Sequence, residues 1–197
     1  MTALRGTKEG QNMITLKYCA DNLHKWISAK TEYKNVIVHE QTEVSYGWQN
    51  DFDKDYCLQN NVPFYNLMRG GGTIVYSKGN VSVGFLYDNK KYKCFMLQKM
   101  CSDFKNYLAS RGLNATIDHN DILVDGYKVA SCWSGNIPPD FRWTVEFVQI
   151  SINQDIQTIT NVCLKPMTKI PKGLGEYGLT TEQVLDWAND WLTKNTY

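Results

Sequence analysis

Apolar residues recur at steps of three and four through Met13, Leu16, Cys19 or Ala20, Leu23 and Ile27, which predicts an amphipathic helix within residues 10–32. The period then changes. "NVIVHE" (35–40) and "TEVSYG" (42–47) are short β-branched runs separated by polar residues and predict strands. Residues 50–61 are polar and predict a loop or an irregular helix, and "VPFYNLM" (62–68) predicts a strand. "TIVYSKGNVSVGFLY" (73–87) predicts two strands around a Ser-Lys-Gly-Asn turn. Helical spacing returns at about 93–111, with Met96, Met100, Phe104, Tyr107 and Leu108 on one face and Gly112 as the cap that follows.

The second half of the chain alternates more than it spirals. "NATID" (114–118) and "DILVDGYKVASCW" (121–133) predict strands, with Asp125-Gly126 as a two-residue hairpin turn, and residues 134–140 a loop. "FRWTVEFVQISIN" (141–153) is the longest β-like run, and a short helix is expected at 154–162. "KPMTKIPKGLGEYG" (165–178) is expected to cross the surface, and Thr180 with Gln183 forms a capping box that opens a last helix at about 181–193. One mixed α/β domain over residues 1–197, richer in strands than helices, accounts for the whole pattern.

Composition narrows the function. Lys and Arg total 21 against 20 Asp and Glu, a net charge of +1, and the basic residues are scattered. Nucleic-acid binding needs a concentrated basic surface, so it is not expected. No window approaches the ~20 apolar residues that cross a bilayer, and the first residues lack the apolar run of a secretory signal. Six cysteines without a C-x-x-C and only three histidines make a metal site unexpected. These thiols are read as reduced, in a cytoplasmic protein.

Candidate chemistry begins at "RGGGTIVYSKGN" (69–80). Glycine-rich backbone can bring N–H groups close to a ligand anion, and Arg69 beside it would act as a clamp. The segment is neither a P-loop nor a dinucleotide fingerprint, because G-x-x-x-x-G-K-[ST] is absent and a strand rather than a helix follows. With "TEVSYG" before it and "NDILVDGYKVAS" after it, the segment resembles the lipoate–biotin ligase and octanoyltransferase superfamily. Arg69, Gly70 and Gly71 match the transferases' Arg-Gly-Gly, Gly70 to Gly72 the ligases' Gly-Gly-Gly, and Gly79-Asn80 the end of that motif. The likeness covers roughly residues 36–165. It implies an α+β fold, a central mixed and mostly antiparallel sheet flanked by helices, without the accessory carboxy-terminal domain of many lipoate ligases.

The resemblance also implies roles. Lys128 falls on the family's catalytic lysine, Asn120-Asp121 on the Asn-Asp before the ligases' hairpin, and Cys163, 35 positions from Lys128, on the transferases' nucleophile. Lys128 would hold a developing negative charge, and Cys163 would carry the acyl group as a thioester. Cys132 is the rival thiol, four residues past Lys128 and expected on the same strand face. Tyr76 stands where the family usually has His, Ser77 where it has Asp or Gly, and Val148-Gln149 where it has His-Gly. Arg69, Gly70, Gly71, Gly72, Tyr76, Asn120, Asp121 and Cys132 are the expected substrate-binding residues.

Three functions follow from that likeness. The first is a transferase without cofactor, moving an octanoyl or lipoyl group from an acyl carrier protein to a lysine of a lipoyl-type acceptor domain. The alternative is a ligase for lipoate or biotin that uses ATP and Mg²⁺. The second alternative is a binding homologue that has lost catalysis.

Overall fold

The computed structural model describes residues 33–47, 49, 51–66, 72–90, 96–137 and 142–195. The helix expected within 10–32, and Arg69, Gly70 and Gly71, lie outside the described residues. Strands β1 (Tyr33–Val38), β5 (Val81–Asp88), β6 (Ala115–Asp118), β7 (Asp121–Val124), β8 (Tyr127–Ile137) and β9 (Trp143–Ile150) form one sheet in the order β1-β5-β9-β8-β7-β6. Every pairing in it is antiparallel. Strands β2 (Glu43–Tyr46), β3 (Phe64–Asn66) and β4 (Ile74–Tyr76) form a second sheet, in which β2 pairs parallel to β3 and antiparallel to β4. The fold is the expected mixed α/β domain with a largely antiparallel sheet and helices.

Helices α2 (Met96–Ser110) and α4 (Thr181–Lys194) cover one face of the large sheet. The helical face read from the sequence is the one that packs: Met96, Met100, Phe104 and Leu108 are buried, and each such side chain contributes about 1.5–3 kcal/mol. Gly112 ends α2 in the left-handed region at φ +81°. Helix α4 opens with the capping box of Thr180 and Gln183. The short helices α1 (Lys54–Gln59) and α3 (Ile156–Val162) are too brief to stand alone. Their amino ends are held by Asp53, which accepts from the Tyr56 N–H, and Asp155, which accepts from the Thr158 N–H. Among the described residues no helix is long and apolar enough to cross a membrane.

Strand β9 is buried along its whole length because both of its faces are covered. Val148 and Ile150 enter the core under the helices, while Phe147 meets Tyr76 of the small sheet and the Gln149 amide donates to the Val75 carbonyl. The two sheets are also joined by a buried polar chain. His39 Nδ1 lies 2.8 Å from Glu43 Oε1, and its Nε2 lies 2.8 Å from Ser82 Oγ. The His39 ring stacks on Tyr76 at 4.5 Å.

Residues 73–87 form the two strands expected around a turn, β4 joining the small sheet and β5 the large one. Gly79 at φ +85° makes the turn, and the Asn80 side-chain oxygen accepts from the Ile152 and Asn153 N–H groups. The loop expected at 134–140 is strand as far as Ile137, because β9 supplies partners for Ser134 to Ile137.

Candidate functional site

Between the two sheets lies a cavity of about 270 Å³. Strand β4 supplies Ile74 and Val75, β8 supplies Lys128 and Ser131, and β9 with its extension supplies Gln149 and Ser151. Helix α3 and the residue after it add Ile159 and Cys163, and the chain from Lys165 to Pro171 borders the opening. Asp51, Gly72 and Thr73 close one end.

Lys128 reaches the cavity because of a β-bulge. Ile122 pairs with Ala130 and Leu123 with Lys128, so Val129 has no partner in β7. One extra residue reverses the alternation of a strand. Ala130 and Cys132 therefore point into the core beneath the helices, together with Val129, while Lys128 lines the cavity with Ser131. This corrects the expectation that Cys132 shares a face with Lys128. At this point β8 leaves β9 and pairs with the bordering chain instead. The Lys128 N–H donates to the Ile170 carbonyl at 2.9 Å, and the Lys172 N–H donates to the Lys128 carbonyl at 2.9 Å.

Two charged groups frame the site. At one end Asp121 bridges two lysines, with Oδ1 3.0 Å from Lys128 Nζ and Oδ2 2.9 Å from Lys169 Nζ. Lys169 also pairs with Asp118 at 2.9 Å. Burial works against the charge on Lys169, but the carboxylates of Asp118 and Asp121 outweigh it and hold its pKa above the ordinary lysine value. At the other end Asp51 accepts from the Thr73 hydroxyl at 2.8 Å and pairs with Lys165 at 3.3 Å. Burial would raise the Asp51 carboxyl, yet Thr73 and Lys165 prevail and keep it below the usual carboxylate range. A Cβ on Gly72 would stand 3.3 Å from Asp51 Oδ2, so this glycine lets backbone and carboxylate approach.

Cys163 caps α3, and its thiol is pushed above the ordinary value, first by burial and then by the Asp51 charge. A thiol in that state is a poor nucleophile at neutral pH. Alkylation by iodoacetamide at pH 7 is expected to be slower at Cys163 than at a free cysteine, and Asp51→Asn is expected to speed it. Peptide mapping of the alkylated protein at timed intervals checks both; an Asp51→Asn rate equal to the parent's would remove Asp51 as a cause.

The structure thus brings Lys128, Cys163 and Gly72 into one cavity. Tyr76, Asn120, Asp121 and Cys132 are not among its lining residues. Tyr76 is buried against His39 and Phe147, Asp121 reaches the site through Lys128, Asn120 offers its carbonyl to the Cys132 N–H, and Cys132 meets Cys101. Ser77, buried beside Tyr76, accepts from the Asp155 N–H at 3.0 Å and anchors the start of α3. Sequence reading missed Asp51, Thr73, Ser131, Gln149, Ser151, Lys165 and Lys169. Gln149 was visible only as a departure from the family's His-Gly, Asp51 lay unmarked in a polar run, and the others showed only as polar residues within apolar or Pro-flanked stretches.

Comparison with known proteins bears on the family and the fold. The family model of the lipoyl protein ligase A/B catalytic domain matches residues 23–178. A lipoate-protein ligase A structure with bound ATP superposes with a TM-score of 0.72 at 14% identity, covering 91% of this chain and 83% of that one. The bipartite lipoate protein ligase of Thermoplasma acidophilum, solved with its E2 lipoyl domain, gives 0.69 at 11% identity, with 93% and 82% covered. Biotin protein ligase from Aquifex aeolicus, with biotin and ATP, gives 0.53 at 14% identity, with 94% and 70% covered. At these identities the structures establish a shared fold. No curated protein matches the chain in sequence.

Proposed function

The chain belongs to the family of lipoyl protein ligase A/B catalytic domains, and on that premise we propose that it is an ATP-dependent ligase for a carboxylic acid of the lipoate class. The acid's carboxylate oxygen would attack the α-phosphorus of ATP and expel pyrophosphate. The lysine amine of a lipoyl-type acceptor domain would then attack the acyl carbonyl and release AMP. One observation supports this reading over transfer through a cysteine: the cavity holds Lys128 in place beside Asp121 at 3.0 Å, whereas burial and then the Asp51 charge push the Cys163 thiol above its ordinary value. A fixed ammonium stabilises the negative oxygen that develops in both steps.

No group of three or more His, Cys, Asp or Glu able to hold a metal occurs among the described residues. Mg²⁺ would arrive with the triphosphate, as it does where one or two carboxylates and substrate phosphates share the ion. Asp51 is the carboxylate on the cavity wall that could face it.

The second reading is acyl transfer from an acyl carrier protein through Cys163 and Lys128, supported by their presence in one cavity. ATP–pyrophosphate exchange with lipoate, octanoate or biotin separates the two. Exchange that persists in Cys163→Ala supports the ligase. A trapped acyl-enzyme that disappears in Cys163→Ala supports the transferase, and neither signal with any substrate supports a binding homologue without catalysis.

A further inference from the structure

Cys101 of α2 and Cys132 of β8 bring their sulfur atoms to 2.6 Å, and both residues are buried. That separation is within about 0.6 Å of the ~2.05 Å covalent sulfur–sulfur bond. The elements that carry the two sulfurs hold them there. Cys101 follows the fully buried Met100 on the packed face of α2. Cys132 lies in the middle of the sheet, paired with Val148 of β9, and its N–H donates to the Asn120 carbonyl at 2.7 Å. The bulge at Val129 is the cause, since it turns Cys132 away from the cavity and toward the helix.

We propose that Cys101 and Cys132 form an oxidative cross-linking site, closed to a disulfide by a small peroxide. The Cys101 sulfur attacks one peroxide oxygen, the O–O bond breaks, and the product is a sulfenic acid plus water or hydroxide. The Cys132 thiol then gives up its proton and attacks the Cys101 sulfur, and the sulfenic oxygen leaves as water. Two thiols and one hydrogen peroxide thus become one disulfide and two waters, the cysteines losing two electrons. The two sulfurs share one contact in which either can be the donor, so the same sequence with Cys132 attacking first gives the same disulfide. The bond would lie on the helix side of β8, opposite Ser131 and Lys128, and would tie α2 to the strand without entering the cavity. The two cysteines are 31 positions apart, so the cross-link closes a loop that restricts the unfolded chain.

The test is to treat the folded protein with hydrogen peroxide, denature it in iodoacetamide and map the peptides without reduction. Expected are an intact mass lower by two hydrogens, a Cys101 peptide linked to the Cys132 peptide, and a thermal unfolding midpoint several degrees above that of the reduced protein. Dithiothreitol should reverse all three. Cys101→Ala and Cys132→Ala should each lose the linked peptide. Mapping the parent protein decides the matter even if a variant folds poorly. Recovery of both cysteines as alkylated thiols after peroxide treatment, or Cys132 linked in equal yield to another cysteine in Cys101→Ala, would overturn the proposal.

Discussion

Lys128→Ala is expected to lower kcat/KM for acyl-adenylate formation by about 10²–10³-fold, the usual effect of removing one group that stabilises a developing oxyanion. The fold should survive. The Lys128 side chain is one-third exposed, and Asp121 keeps Lys169 as a partner, so the lost ion pair costs at most about 1 kcal/mol after solvent screening. Lys128→Arg keeps the charge but spreads it over a planar fork, and is expected to recover only part of the rate. Pyrophosphate exchange with octanoate or lipoate measures the effect, and circular dichroism with thermal unfolding confirms the fold. An exchange rate within threefold of the parent's would mean that Lys128 does not touch the reacting atoms.

Gly173→Ala should be the most damaging small substitution in the molecule's bordering chain. Its backbone is extended, at φ −84° and ψ 141°, so torsion is not the obstacle. The obstacle is space: a Cβ there would stand 2.3 Å from the Ile152 carbonyl oxygen and 3.0 Å from its carbon. Backbone cannot rotate aside as a side chain can, so either the end of β9 or the bordering chain must move. The cost belongs at the upper end of the overpacking range, about 3 kcal/mol. For a chain of this size that is a fall of roughly 10 °C in the unfolding midpoint. Gly126→Ala is the control, because its Cβ meets nothing within 4 Å and only its φ of +83° opposes alanine, worth about 1 kcal/mol. Lys172 and Ile170 hold the Lys128 backbone, so Gly173→Ala should lower activity further than its stability loss explains. Equal midpoints for the two variants would refute the packing argument.

Much of the architecture was legible because it is written in short-range rules. Thr180 and Gln183 close a capping box whatever lies around them, and Asp125-Gly126 adopts positive φ at both residues, as its hairpin demands. Met96, Met100, Phe104 and Leu108 mark the buried face of α2 by spacing alone. The strand at Ser134–Ile137 escaped notice because Ser, Gly and Asn have little strand preference, and only pairing with β9 holds them. Gly79-Asn80 was visible as part of a motif, but its role as a clamp on the end of β9 needs Ile152 and Asn153 beside it.

What the sequence determined by itself was most of the elements among the described residues, the mixed α/β class and the family, together with Lys128, Cys163 and Gly72 as residues marked by the likeness to that family. Those conclusions need only periodicity, caps and motif order, which are properties of neighbours along the chain. The tertiary structure decided which way the residues of β8 face and what state the thiol is in. The bulge arises from the pairing of β7 with β8, and it sends Lys128 to the cavity and Cys132 to Cys101. Burial and the charge of Asp51, more than a hundred residues away in sequence, raise the Cys163 thiol. Strand register and local dielectric are set by groups distant along the chain, and a reading of adjacent residues has no access to either.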